Sequence, residues 1–173
     1  MSETFRGEYD LKVDGKARLL VPAAFRRVLD LGDERTPDSP RTRMVIVYGG
    51  KKRQFCECYS FKEAEDMAQK IRMLPPGSDQ RLKAERNLVT LSATVDLDDD
   101  GRIVLPTKVR EKLGIASEDL KGGVDAVLAG ATNRFTLWRK DTYDAIYRPQ
   151  DDDEDEDDDV DPLVHLQQIS AGG

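Results

Sequence analysis

Histidine and cysteine are nearly absent from this chain, and each scarcity removes a class of function. One histidine, two cysteines and one tryptophan occur among 173 residues. A zinc site gathers three or four side-chain ligands, and His165 stands far along the chain from Cys56 and Cys58, so no metal is expected. The two cysteines are too close together for a disulfide framework and suit a reducing cytoplasm. Alternating onto one face of a strand, they read as core residues. Nucleophile elbows, phosphate-cradling glycine loops and paired catalytic carboxylates are missing too. The chain is therefore not expected to be an enzyme, to carry a cofactor or to act on a small-molecule substrate. No apolar run is long enough to span a bilayer, so no membrane partner is expected. The opening MSETFRGEYD has charges from its third residue and no hydrophobic stretch, so no secretory leader is expected.

Charge is abundant and unevenly placed. The formal net charge is −7, which at face value argues against nucleic acid as a partner. Residues 151–161, DDDEDEDDDVD, hold ten of the 34 acidic side chains, and no lysine or arginine follows them. The preceding 150 residues keep 24 acidic against 27 basic groups, a balance of +3. A run of like charges repels itself and buries nothing, so 149–173 is expected to be a disordered acidic tail. Within it, PLVHLQQIS (162–170) has the apolar spacing of a short helix and is a candidate docking element.

The body contains an internal repeat. LKVDGKARLLVPAAFRRVLDLG (11–32) and VDLDDDGRIVLPTKVREKLGI (95–115) align with a shift of 84, pairing Asp14 with Asp98, Arg18 with Arg102, Leu20 with Val104, Pro22 with Pro106 and Arg26 with Arg110. Each copy reads as an alternating strand, a turn, a short apolar strand, a proline near a first helical turn, and an amphipathic helix ending near Gly32 or Gly114. Downstream, MVIVYG (44–49) answers to DAVLAG (125–130), and QFCECYSFKEA (54–64) to RFTLWRKDTYD (134–144). Ser60 and Glu63 have capping-box spacing. DQRLKAERNLVTL (79–91) reads as a connecting helix. Each copy is a β-β-α-β-β-α unit too small to be comfortable alone, and the two are expected to interlock. The expected organisation is a first repeat at 4–60, connecting helices at 61–91, a second repeat at 92–148 and the tail.

DLDDDGRIVLPT (96–107) also opens like a calcium loop, with Asp96, Asp98 and Asp100 before Gly101. The twelfth position of such a loop needs a bidentate carboxylate, and here it is Thr107. Lys12 and Lys16 stand at the places of Asp96 and Asp100 in the first copy, so the ligand comb does not recur. What recurs is D-x-x-x-R. One account is a hairpin turn with a surface ion pair, worth under about 1 kcal/mol. The other gives arginine's planar fork a guanine edge or a phosphate to hold, with the aspartate fixing its rotamer.

DGRIVLPTKVREKLGI resembles the swapped-hairpin DNA-binding unit of the AbrB type. The start FRGEYDLKVDGKARLLVP, its duplication, and NRFTLW before a final helix resemble the MraZ family of bacterial transcriptional regulators more closely, over roughly residues 4–148. The resemblance implies an α+β fold of two AbrB-like swapped-hairpin repeats, interleaved into a β-barrel-like unit with surrounding helices. It implies a cytoplasmic, nucleoid-associated protein that assembles into a ring-shaped homo-oligomer. That ring would bind double-stranded DNA at repeated promoter boxes of the division and cell-wall gene cluster, with repression the expected sign. Carried onto this sequence, Asp14, Lys16 and Arg18, with Asp98 and Arg102, form the recognition cluster. Arg26 and Arg110 are second-rank phosphate contacts, or else ordinary solvated helix charges.

Two departures bear on detail. The family's first motif usually places glycine before its arginine, where this chain has Ala17; alanine resists positive φ, so the glycine role is expected at Gly15. Asp99 and Asp100 beside Arg102 would repel phosphate, so the N-terminal cluster, with Lys12, Lys16 and Arg18, is the stronger DNA contact. KKR (51–53) reads as a solvated hairpin tip within possible reach of DNA. The acidic tail could compete with DNA phosphate, although a solubilising appendage is the simpler account. A rival from another class is an antitoxin that grips a toxin, which would favour a single hairpin unit and a hydrophobic tail over a duplicated unit and an acidic one.

Overall fold

A computed structural model describes residues 3–149 and 161–171. The acidic run at 151–160, expected to be disordered, lies outside the described residues. The first repeat forms β1 (Glu8–Val13), β2 (Arg18–Leu20), α1 (Ala23–Leu31), β3 (Arg43–Val47), β4 (Cys56–Ser60) and α2 (Phe61–Arg72). After α3 (Asp79–Ala84), the second forms β5 (Ser92–Asp96), β6 (Arg102–Val104), α4 (Thr107–Leu113), β7 (Val124–Gly130), β8 (Phe135–Arg139) and α5 (Lys140–Tyr147). A 3₁₀ turn at Ser117–Gly122 has no counterpart in the first repeat. The stretch read as one connecting helix begins as α3 and continues as a π-helical stretch over Glu85–Thr90. The C-terminal segment is helical over Leu163–Ala171, here α6.

Local chemistry accounts for the punctuation. Pro22 and Pro106 occupy the residue just before α1 and α4, at φ −55° and −59°, where a missing N–H costs no ladder bond. Ser60 Oγ accepts the Glu63 N–H at 3.2 Å and caps α2. Gly114 ends α4 in the left-handed region at φ 71°, whereas Gly32 ends α1 at φ −94° without needing glycine's freedom.

Six strands form an antiparallel sheet in the order β1-β7-β8-β4-β3-β5, and β2 pairs with β6 in a separate two-stranded ribbon. The expected barrel does not close: β1 and β5 end the order and do not pair with each other. The order is nonetheless symmetric. Exchanging each strand for its counterpart in the other repeat, β1 for β5, β3 for β7 and β4 for β8, reverses the order and leaves it unchanged. The repeats are threaded through one another: β1–β7, β3–β5, β4–β8 and β2–β6 all join one copy to the other.

Strand alternation then divides the core in two. Met44, Ile46, Cys56, Cys58, Ala126, Leu128, Phe135 and Leu137 face α1, α4 and the ribbon, forming the main core with Leu19, Phe25, Ile103 and Val109. Val45, Val47 and Tyr59 face α2 on the other side, and Val127 and Trp138 face Tyr143 of α5. Phe25 stacks on Phe135 at a centroid distance of 4.7 Å and Phe5 meets both edge-on at 5.4 and 5.2 Å, tying the N-terminus, α1 and β8 together. Cys56 and Cys58 are free thiols in this core; burial pushes the Cys56 thiol up to about 12, which keeps it protonated and unreactive.

Candidate nucleic-acid interface

The recurring Asp and Arg flank the turns that enter β2 and β6. In the first, the Ala17 N–H donates to the Asp14 carbonyl at 2.9 Å, and the Asp14 N–H to the Arg18 carbonyl at 3.0 Å. The second repeats this with Gly101, Asp98 and Arg102 at 3.0 and 2.8 Å. Both are tight turns closed by a residue in the left-handed region, the geometry of a G1 bulge. Gly101 holds that position at φ 78° and Ala17 at φ 61°, while Gly15 does not take positive φ. The expected transfer of the glycine role to Gly15 is thus overturned. The turn's hydrogen bonding fixes which position must be left-handed, and alanine adopts the conformation at a cost of about 1–2 kcal/mol.

Each aspartate holds its turn together. Asp14 Oδ1 accepts the backbone N–H groups of Lys16 and Arg18, both at 2.9 Å, and Oδ2 accepts Arg18 Nε at 2.8 Å. The Arg18 backbone bond, aided by the arginine's side chain and the Lys16 N–H, holds the Asp14 carboxyl below its ordinary value despite partial desolvation. Asp98 Oδ1 likewise accepts from Asp100 and Arg102, both at 2.9 Å. The Arg102 backbone N–H chiefly lowers its carboxyl, with the Arg102 and Arg18 charges contributing. The comb that resembled a calcium loop therefore spends Asp98 on backbone amides. Among the described residues, no group of three histidine, cysteine or acidic side chains is arranged to hold a metal ion.

The two turns converge because β2 and β6 pair. Their register sets Arg18 opposite Val104, Leu19 opposite Ile103 and Leu20 opposite Arg102. Leu19 and Ile103 point into the core at 1% and 2% exposure. By the period of two, Arg18, Leu20, Arg102 and Val104 share the outer face. The arginines occupy one diagonal of a square and the aliphatics the other, with diagonal neighbours about 7–8 Å apart. The ribbon is clamped by equivalent bonds, Val21 N–H to the Gly101 carbonyl at 2.9 Å and Leu105 N–H to the Ala17 carbonyl at 2.8 Å.

Symmetry breaks at the side chains. Arg18 is braced by Asp14 through Nε, and its side chain remains 36% exposed. Arg102 has no such bond to Asp98; its Nη1 lies 3.8 Å from Asp100 Oδ2. Asp99 is almost fully solvated and lies 4.0 Å from Arg41. Arg26 crosses the second turn so closely that a β-carbon on Gly101 would fall 2.3 Å from its Nη1, and its Nε is buried without a hydrogen-bond partner. In the first turn the equivalent place carries the Ala17 methyl. Arg110 bonds instead to its own helix start, through Leu105 O at 3.3 Å and Thr107 Oγ1 at 3.0 Å.

Lys16 is exposed on the first turn beside Arg18. Lys12 is not part of the ribbon face: it runs along β7, with Nζ 3.9 Å from Asp125 and its chain against Gly123. In KKR, Lys51 and Lys52 are exposed, and Arg53 is tied to the buried Glu57. Leu20 and Val104 were not recognised from sequence as surface residues of this face. The signal was present, because the alternation that turns Arg18 and Arg102 outward turns Leu20 and Val104 outward with them.

The structure is an open, internally duplicated sheet with a solvent-facing ribbon, and relatives similar over most of the chain are named as transcriptional regulators. One from Cereibacter sphaeroides, named "Transcriptional regulator MraZ", is 51% identical over 145 residues, covering 84% of this chain and 85% of the relative. Relatives of the same name from Ruegeria pomeroyi and a Roseiflexus species are 38% and 31% identical, over 83% and 78% of this chain and 82% and 80% of their own lengths. A family model described as "MraZ protein, putative antitoxin-like" matches residues 89–161. The chain belongs to the MraZ family.

Proposed function

We propose that this chain is a sequence-specific DNA-binding transcriptional regulator that represses the bacterial division and cell-wall gene cluster. It works as a ring-shaped homo-oligomer in the cytoplasm, associated with the nucleoid, and grips repeated promoter boxes in double-stranded DNA. In this reading the segments 4–60 and 92–148 are two swapped-hairpin repeats whose D-x-x-x-R turns form the contact surface. Arg18 is the principal reader, Asp14 its brace and Lys16 a phosphate contact. Asp98 and Arg102 do the same work less strongly, because Asp100 competes for Arg102. Arg110 is a peripheral phosphate contact, and Arg26 braces the second turn. The observation that carries the reading is the β2–β6 pairing, which puts Arg18 and Arg102 on one outward face. A two-stranded ribbon fits the major groove, about 12 Å wide.

One face with two arginines binds weakly and with strong salt dependence, and several such faces on one particle raise occupancy through effective concentration. The deciding experiment is Arg18→Ala, measured for binding to the promoter DNA of the cluster and for particle mass. Promoter binding is expected to be lost with the particle intact. Unchanged affinity, or collapse of the assembly, overturns the assignment.

A further inference from the structure

The ribbon's outer face carries two large aliphatic side chains that folding leaves exposed. Leu20 is 40% and Val104 58% exposed, although each is flanked in sequence by residues buried at 2% or less. They occupy equivalent positions in the two repeats, and each lies directly across the ribbon from an arginine, Leu20 from Arg102 and Val104 from Arg18. Single exposed aliphatics are common on protein surfaces; this pair stands out because it recurs at the same position of both repeats, on the face that carries both arginines. A groove-facing surface has a use for them. The major groove offers one apolar recognition element, the C5-methyl of thymine, beside the O6 and N7 acceptors of guanine that suit arginine.

We propose that Leu20 and Val104 are specificity-determining residues that pack on thymine methyl groups while the neighbouring arginines hold guanine edges or phosphates. The inference rests on the DNA-binding reading above and deepens it. The ribbon's approximate two-fold, passing between Leu19 and Ile103, gives each half of the contacted DNA one arginine and one aliphatic. Charge complementarity selects DNA over another apolar surface as the occupant, since the aliphatics alternate with Arg18 and Arg102, and Lys16 extends the basic edge. Arg18 and Arg102 supply charge attraction to phosphate and a fork suited to guanine; Leu20 and Val104 supply a preference that only thymine satisfies.

The test uses the full chain and a duplex selected by it from a randomised library, resynthesised with deoxyuridine for deoxythymidine. Removing a buried methyl should weaken wild-type binding about three- to fourfold per contacted thymine. Leu20→Ala and Val104→Ala should each bind the thymine duplex more weakly, with a reduced preference for thymine over uracil. The double variant should bind the two duplexes equally. Because no phosphate contact is touched, the salt dependence should keep its slope. Equal wild-type affinity for the two duplexes, or a thymine preference that survives in the double variant, overturns the inference and leaves the DNA-binding reading standing. A change of particle mass in the variants, with the thymine preference kept, also overturns it and makes the pair a contact between copies. If the library yields no enriched sequence, the DNA-binding reading itself has failed.

Discussion

Ala17 and Gly101 hold the same left-handed position in two turns, and the chemical difference between them reaches well past the backbone. The Gly101 turn admits the Arg26 side chain over its surface, whereas the Ala17 turn carries a methyl there, on a residue that is 5% exposed. Substitution in the two directions should therefore have unequal effects. Gly101→Ala brings backbone strain and displaces Arg26, and should cost about 1–2 kcal/mol in urea unfolding. Ala17→Gly relieves strain but loses a buried methyl and adds unfolded-state freedom, so the change should stay within about 0.5 kcal/mol. Asp33 is the second residue with consequences of its own. Its side chain is 2% exposed, and it accepts Arg43 N at 2.8 Å, Nε at 3.1 Å and Nη2 at 2.7 Å, while the guanidinium sits 3.6 Å over Phe61. Burial alone would raise the carboxyl, but the Arg43 bonds and charge outweigh it and hold it below its ordinary value. A lowered folded value means that the stabilisation is complete above the unfolded value, about 4, and fades as pH falls through the folded one. Asp33→Ala should cost about 2–3 kcal/mol at neutral pH, and the gap from wild type in thermal unfolding should narrow below pH 4.

At the scale of elements, the turn and its ribbon act as one part, which gives the acidic side chains opposite roles. Electrostatics alone would have any lost carboxylate improve binding to DNA. Asp14, however, caps two backbone amides and aims Arg18. Asp14→Ala should weaken binding to promoter DNA despite the gain in net positive charge, whereas Asp99→Ala, which removes a carboxylate that is 92% exposed, should strengthen it at low salt and lose that advantage at high salt. Titrations of the two variants at two ionic strengths decide between positioning and simple charge. Much of this part was legible in advance: period-two alternation located the strands, the repeat identified Asp and Arg as the recurring pair, and proline marked both helix starts. Residue preference alone points to Gly15 as the left-handed residue, whereas the turn's hydrogen bonding makes it the position before the arginine. Lys12 was grouped with Arg18 by sequence proximity. The β1–β7 register, which no local pattern reveals, sets it opposite Asp125, with Nζ 3.9 Å from that carboxylate.

For the whole molecule, the consequence of duplication is dependence. The sequence shows two similar copies, each too small to fold comfortably alone, and points to their interlocking without showing which strands pair. Of the six strand pairings among the described residues, only β3–β4 and β7–β8 lie within a copy; the other four join the copies, including the ribbon that presents both arginines. Long-range pairing of this kind leaves no local periodic signal, which is why the barrel expectation described the interlocking but not the open order of strands. The main core is shared in the same way, since Phe25 of α1 stacks on Phe135 of β8 at 4.7 Å. A single copy can keep one hairpin, and an isolated hairpin is marginal in water. Dividing the chain in the exposed loop at Gly77, into 1–77 and 78–173, should therefore give fragments that are unfolded as monomers. Because the inter-copy pairings are symmetric, either fragment can complete a sheet only by pairing with another chain, and the favoured partner is the other fragment, whose core side chains are cut to match. Mixing should restore a 1:1 complex with the circular dichroism of the intact protein and a single cooperative melt. Sedimentation with circular dichroism checks this: a folded monomer of either fragment would show that each copy is an independent domain, and would remove the structural reason for Arg18 and Arg102 to act on one face.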